Sequence, residues 1–300
     1  MTRPTATSDP VEAAQQEAKR QNKQVEIEAL HTENSTTVAT TNGKTLGTYV
    51  HSAPIRVKKD GAWAAIDTTL VEEGGVVRPK VSKVEVTLSA GGDTTLARAK
   101  TGKGEAAVSA PTALPKPELS GSTATYRSAY GPGIDLVVTV TPTGLRQEIV
   151  IPQRPDGKLD LRLPVELPTG VKYGKDASGK PTLPALEGDG KAAPLASALL
   201  LDKTAASPDA PPDAGRMSTV AATVEQTGKG SVLRYTPDEA FLADPATTYP
   251  VTLLDGRHPV VRRRHARRYL HQQRHLGHRC PQPVHGRAGG GQDQRRGGLA

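Results

Sequence analysis

Apolar residues fall at every second position in several stretches of the chain, and that spacing predicts half-buried strands. In residues 83–89, "KVEVTLS", Val84, Val86 and Leu88 alternate with Glu85 and Thr87. The longest such run is Leu159 to Leu167, with Leu159, Leu161, Leu163, Val165 and Leu167 all at odd positions. "DLVVTVTPTGLRQEIVI" predicts a hairpin of Asp135 to Thr141 against Leu145 to Ile151, turned at "TPTG", with Leu136, Val138 and Val140 facing inward. Further strands are predicted near Gln24 to Leu30, Thr45 to Val50, Ile55 to Lys58, Trp63 to Leu70, Ala124 to Arg127, Ser218 to Gln226 and Ser231 to Thr236, with "FLADPATTYPVTLL" closing the patterned region. Asp60-Gly61 and Gly74-Gly75 are turn signals.

The period changes near the N-terminus, where Pro10 precedes a run of Ala, Glu, Gln and Lys. A short exposed helix is predicted from Val11 to about Arg20. Lys100 to Leu119, rich in Pro and small residues, predicts a boundary or an irregular edge strand. Ala192 to Arg216 holds a brief apolar strand and then a Pro/Asp/Ala loop of linker composition. The expected fold is all-β: two antiparallel β-sandwich-like regions with a short N-terminal helix and a disordered C-terminal tail. The divisions fall at 1–23 for a leader with the helix, 24–115 and 116–254 for the two β domains, and 255–300 for the tail.

Composition supports short strands and many turns over helical cores, since 35% of residues are hydrophobic, 3% are aromatic, and Gly and Pro number 30 and 25. A lone Cys280 rules out a disulfide framework. No stretch approaches the roughly 18 apolar residues of a membrane span. "MTRPTATSDP" contains no apolar core of a signal peptide. The net charge of +8 belongs to the tail: residues 255–300 carry eleven Arg and two Asp, or +9, and the first 254 residues carry −1. A basic-protein argument for nucleic acid therefore rests on the tail alone.

Chemistry-bearing residues are sparse before residue 255. His31 and His51 are the only histidines there, and no G-x-S-x-G elbow accompanies them. Glu72 with Glu73, and Asp156 with Asp160, are carboxylate pairs of the kind a glycosidase uses, but each lies in turn-like sequence. "LEGDGKAA", with Gly190-Lys191, and "TGKGEAA" lack the rest of a phosphate-loop motif. "KDASGK" and "RPDGKLD" have too few acids for a calcium loop. Trp63 with Tyr49, or Tyr126 with Tyr130, would make a sugar-stacking platform, whereas Trp63 beside Ile66 is expected to be the main core residue of its sheet. No catalytic, cofactor-binding or metal-binding residue is expected.

The tail concentrates what the body lacks. His271, His275 and His278 fall at i, i+4 and i+7, on one face of a helix, with Cys280 as a fourth zinc donor. No acid but Asp293 follows Asp255, so second-shell carboxylates are missing, and Tyr269 alone offers base stacking. A third reading is favoured. Arg, His, Gln, Gly and Pro are what a GC-rich gene yields out of frame, and back-translating "RRYLHQQRHLGHRCPQPVHG" with free third bases, read one base later, permits "DATFINNDTWGTDAPSPYTG". On that reading the tail is expected to stay disordered and to bind zinc and DNA only weakly.

Five segments carry a family resemblance: "EAKRQNKQVEIEALHTENSTTVATTNGK", "PIRVKKDGAWAAIDTTL", "VTLSAGGD", "YGPGIDLVVTVTPTGLRQEIVI" and "FLADPATTYPVTL". Over residues 17 to 254 the chain resembles the N-terminal region of large secreted, cell-wall-associated proteins of GC-rich bacteria of actinobacterial type, those with DNRLRE-type, LamG-type or Rhs/YD-repeat modules. The resemblance implies an all-β, non-catalytic segment preceding a DNRLRE module that opens just after a "YPVTVDP"-like strand, where the shifted "DATFINND" falls. It implies an extracellular or cell-wall location, with cell-wall glycan or adjacent modules as partners. It supplies no functional residues. A carbohydrate-binding module and a hydrolase with an unrecognised site remain open beside it.

Overall fold

The computed structural model describes residues 9–254 apart from 184, 187–190, 196, 208, 210, 212–213 and 229. Strands make up 46% of the chain and, among the described residues, helices number three and are short, so the fold is all-β as expected. Two large antiparallel sheets dominate. In spatial order, the eight-stranded sheet consists of Ala222–Thr227, Gly230–Tyr235, Leu161–Glu166, Gly104–Ser109, Thr95–Thr101, Val86–Ser89, Val76–Val81 and Asp67–Glu73. The seven-stranded sheet runs Glu118–Ser120, Thr123–Tyr126, Asp135–Thr141, Gly144–Ile151, Val251–Leu254, Ala198–Leu201 and Met217–Val220.

The two sheets share one core. Val77, Leu88, Val108, Leu163 and Leu233 of the first belong to the same buried cluster as Tyr126, Leu136, Val138, Ile149, Leu200 and Leu253 of the second. The predicted alternation holds in the hairpin, where Leu136, Val138 and Val140 are buried. It holds in the long odd-numbered run too: Leu161, Leu163 and Val165 are buried, with Leu159 and Leu167 partly so. A hydrogen bond ties the layers, the buried Tyr126 hydroxyl donating to Ser89 O at 2.7 Å. Burial and then the nearby Asp93 charge hold the Tyr126 phenol well above its ordinary pKa, so it remains a donor.

The layers also meet at their edges. Leu70 N–H of one edge strand donates to Gly121 O beside the facing edge strand, at 2.8 Å. At the other side the chain passes from Met217–Val220 in one sheet to Ala222–Thr227 in the other through the single residue Ala221. The single strand expected from Ser218 to Gln226 is therefore two strands that turn a sandwich corner. Because strands on both sides of residue 115 build the eight-stranded sheet, the strands from Asp67 onward share one core and do not divide at that position as expected.

Several expectations are corrected. Lys100 to Leu119, expected to be a boundary or an irregular edge strand, supplies the interior strand Gly104–Ser109, with Ala106, Ala107 and Val108 buried, and only its end enters an edge strand, Glu118–Ser120. Small side chains suit a strand covered on both faces, and they weaken the hydrophobic signal. The first strand is only Val25–Glu26, because Leu30 and His31 bond back to Ile27 O and Glu28 O in a 3-10 turn. Trp63 is half-buried in an isolated hairpin, Arg56–Lys59 with Ala62–Ala65, and is not a core residue. The Asp60-Gly61 turn of that hairpin is as predicted, with φ of 50° and 83°, the paired positive values of a type I′ turn.

The N-terminal residues form a smaller unit with its own core. Asp9 caps the helix Pro10–Gln21 by accepting from Val11 N at 2.9 Å, and Ala14 and Ala18, one turn apart, pack on Ile27 and Ala39. Val25–Glu26, Ser35–Ala39 and Leu46–Val50 complete it as a three-stranded antiparallel sheet.

One core position is polar. Gln147 lies on the core face between Leu145 and Ile149, is 2% exposed, and its amide has no hydrogen-bond partner among the described residues. A buried amide without partners costs about 1–3 kcal/mol. Gln147→Met, nearly the same shape without the amide, should therefore raise the melting temperature by roughly 2–4 °C for each kcal/mol recovered. A lower melting temperature in calorimetry would contradict this.

Candidate functional site

The segments that carry the family resemblance fold into turns whose polar groups bond to one another. In "VTLSAGGD", Ser89 Oγ donates to Asp93 Oδ1 (2.9 Å) and accepts from Gly91 N (3.0 Å). Gly91 has φ +99°, and a Cβ there would lie 2.8 Å from the Lys116 backbone, so only glycine fits. In "YGPGID", Asp135 accepts from Arg127 Nη1 (2.8 Å) and from Ser128 N (2.9 Å), fastening the loop between two strands. In "FLADPATTYP", Asp244 accepts from Ala246 N (2.8 Å) and pairs with Arg216 (2.6 Å), Thr247 Oγ1 donates to Phe241 O (2.7 Å), and Tyr249 OH donates to Leu242 O (2.7 Å).

Charges on the strands are paired in the same way. Arg98 meets Glu105 (2.8 Å), Lys116 meets Glu72 (3.0 Å), and Arg78 meets Glu73. Asp160 accepts from both Arg234 (2.6 Å) and Arg162 (3.0 Å). Three of the four candidate carboxylates thus have cationic partners of their own: Glu72 and Glu73 pair separately, and Asp160 is shared by two arginines.

The other candidates fare alike. Tyr126 is fully buried, so the Tyr126–Tyr130 platform is excluded. Tyr49 is exposed and donates to Gln24 Oε1 (2.9 Å), while Lys58 Nζ sits 5.1 Å from the centre of the Trp63 ring. His31 Nε2 is 3.3 Å from Glu26 Oε2, and His51 is half-buried with its backbone N–H on Asn34 O. "KDASGK" is a turn closed by Asp176, which accepts from Ser178 N (2.8 Å) and Lys180 N (3.0 Å). Among the described residues no group of three His, Cys, Asp or Glu could hold a metal, and no helix is long and apolar enough to cross a membrane. Gly190 of "LEGDGKAA", and Tyr269, His271, His275, His278 and Cys280 with the whole of 255–300, lie outside the described residues.

One cleft of about 200 Å³ was not foreseen. It is lined by Arg154, Asp156, Lys158, Glu239 and Leu242, among others, where the loop after Ile151 meets the short helix Glu239–Ala243. Lys158 and Glu239 pair across it at 3.1 Å, and Arg154 makes no ion pair or hydrogen bond among the described residues. The cleft is small beside the roughly 300–1,000 Å³ of ordinary ligand pockets, and has no aromatic wall. Its segments are some eighty residues apart, so no local motif marks it.

Depressed carboxylate pKa values follow from this bonding. Asp244 is lowered to about 2, chiefly by Arg216 and then by Ala246 N. Asp202, 2% exposed, is raised by burial but lowered overall by backbone bonds from Ala205 and Arg216 and by Thr248. A native carboxylate with a depressed pKa binds fewer protons than its unfolded counterpart, so its contribution is complete above the unfolded value of about 4 and is lost as pH falls toward the native one. Melting temperature should therefore fall steadily between about pH 4 and pH 2, and a flat profile there would show these bonds to be inconsequential.

The chain matches no protein-family model, no curated protein and no solved structure.

Proposed function

We propose that this chain is a non-catalytic, β-rich scaffold or adhesion segment of an exported bacterial surface protein, one that holds its place beside the effector modules of the parent chain. The observation that supports it is the bonding within the motif segments: Ser89, Asp93, Asp135, Asp244 and Thr247 each satisfy a turn of the fold itself. Export and a cell-wall setting rest on the family resemblance. The out-of-frame reading of 255–300 belongs to the same proposal, and the coding DNA over Leu253 to His258 tests it: a missing or extra base restoring a "DATFINND"-like continuation supports it, and an intact frame with tight zinc binding through His271, His275 and His278 refutes it.

The cleft favours the rival reading, a carbohydrate-binding or hydrolytic site, because Asp156 and Glu239 line it together with Arg154. Incubation with soluble glycans and purified cell wall separates the two. The scaffold or adhesion reading expects no release of fragments and no retention that depends on the cleft. Turnover abolished by Asp156→Asn, or retention abolished by Arg154→Ala, would replace it.

A further inference from the structure

The edges of the two large sheets are blunted or continued. Asp67–Glu73, Glu118–Ser120 and Ala222–Thr227 carry acidic side chains, and Met217–Val220 runs on into the facing sheet. The edge strand of the N-terminal sheet is built differently. Leu46–Val50, "LGTYV", has no charge and no proline, and Leu46, Tyr49 and Val50 are 44%, 50% and 74% exposed. The helix Pro10–Gln21 packs on the other two strands, and among the described residues no strand pairs with the outer side of this one. Sheets ordinarily protect such an edge with charge, proline or a bulge, because it templates another strand.

The register shows which backbone groups face outward. Thr40 N–H donates to Thr45 O at 3.0 Å and His51 N–H donates to Asn34 O at 2.8 Å, at the two ends of the ladder that pairs Ser35 with Val50. Antiparallel ladders alternate bonded and non-bonded pairs. Gly47 and Tyr49 therefore bond inward to Val38 and Thr36, while the N–H and C=O of Leu46, Thr48 and Val50 point away from the sheet. The 3.2 Å contact between the Thr37 and Thr48 hydroxyls agrees, since side chains approach more closely in non-bonded pairs.

We infer that Leu46–Val50 pairs with the same strand of a second copy of this chain, antiparallel about a two-fold axis at Thr48. In that register every outward N–H and C=O on both strands is bonded, Thr48 to its counterpart and Leu46 to Val50 of the second copy. The side chains match as well. Leu46 lies against Val50 on one face, and on the other Tyr49 covers Gly47 of the second copy, an aromatic-over-glycine pairing that offsets the missing side chain. Beyond the strand, Lys44 falls opposite Ser52 and His51 opposite Thr45, so no like charges oppose. The contact is isologous and closes at two copies.

Sedimentation equilibrium of the full chain tests this. The wild type should form dimers, with a dissociation constant between about 10 µM and 1 mM for so short a strand. Thr48→Lys sets two ammonium groups face to face and should weaken the dimer at least about tenfold, with the melting temperature moved by no more than about 2 °C because Thr48 is exposed. In a Cys280→Ser background, Thr48→Cys should oxidise to a covalent dimer, since bonded antiparallel pairs have Cα atoms about 5.5 Å apart, within disulfide reach. A wild type that stays monomeric at about 1 mM, a dimer that persists in Thr48→Lys, or a Thr48→Cys chain that oxidises to no dimer would each overturn the inference.

Discussion

Val138→Asp should unfold the whole sandwich. Val138 is fully buried in the strand Asp135–Thr141, opposite Ala124 on one side and Gln147 on the other. A carboxylate there faces the shared core, where the described residues place no buried Lys or Arg and only the uncharged Gln147 amide stands opposite. The cost of an unpaired buried charge is several kcal/mol even after local relaxation, comparable to the roughly 5–15 kcal/mol that holds a domain together. Because both sheets contribute to one cluster, the loss should reach Leu88 and Val108 in the facing sheet as well as the neighbours of Val138. Circular dichroism should show loss of the cooperative transition, and an unchanged melting temperature would mean that this strand is peripheral.

Stopping the chain at Pro250 should prevent folding, whereas stopping it at Leu254 should leave the melting temperature of the sandwich unchanged. Val251–Leu254 is the last described strand, yet it lies inside the seven-stranded sheet, bonded to Gly144–Ile151 on one side and Ala198–Leu201 on the other. Val251 and Leu253 are buried, each worth about 1.5–3 kcal/mol of burial. Without them the two flanking strands lose their shared partner and the core is left open. The second half of the prediction follows from the sequence: 255–300 holds only scattered Val and Leu and has no period that would bury them, and its removal changes the net charge from +8 to −1. Comparing the two truncations by thermal melting checks both halves.

Much of this fold is legible in the sequence where one face of a strand is dry and the other wet. The hairpin Asp135–Thr141 with Gly144–Ile151, the odd-numbered run through Leu161, Leu163 and Val165, and the Asp60-Gly61 turn are all local patterns, and the structure keeps them. Reading fails where the side chains are small or the pairing is distant. Ala106 and Ala107 are buried in an interior strand, but alanine gives no clear period and the nearby prolines suggest a boundary. The joining of Gly104–Ser109 to Leu161–Glu166 is a long-range pairing, and with it goes the expected division into two β domains. Trp63 was misplaced for a related reason: alternation says which face a residue takes, not whether its hairpin docks on a sheet.

The candidate chemistry was legible mainly as scarcity. Asp135 and Asp244 look like any surface acids in sequence, and only the fold shows them holding Ser128 and Ala246. The cleft of Arg154, Asp156 and Glu239 needs the loop after Ile151 brought to the short helix before Val251, which no spacing encodes.

Strands from both sides of position 115 fold as one sandwich around a shared core. Hydrogen exchange under native conditions, resolved by segment, tests that most directly. With one core, Val86–Ser89, Gly104–Ser109, Asp135–Thr141, Leu161–Glu166 and Val251–Leu254 should exchange through a common opening, with the same free energy and the same dependence on denaturant. Two groups of segments, divided near residue 115 and opening independently, would contradict it.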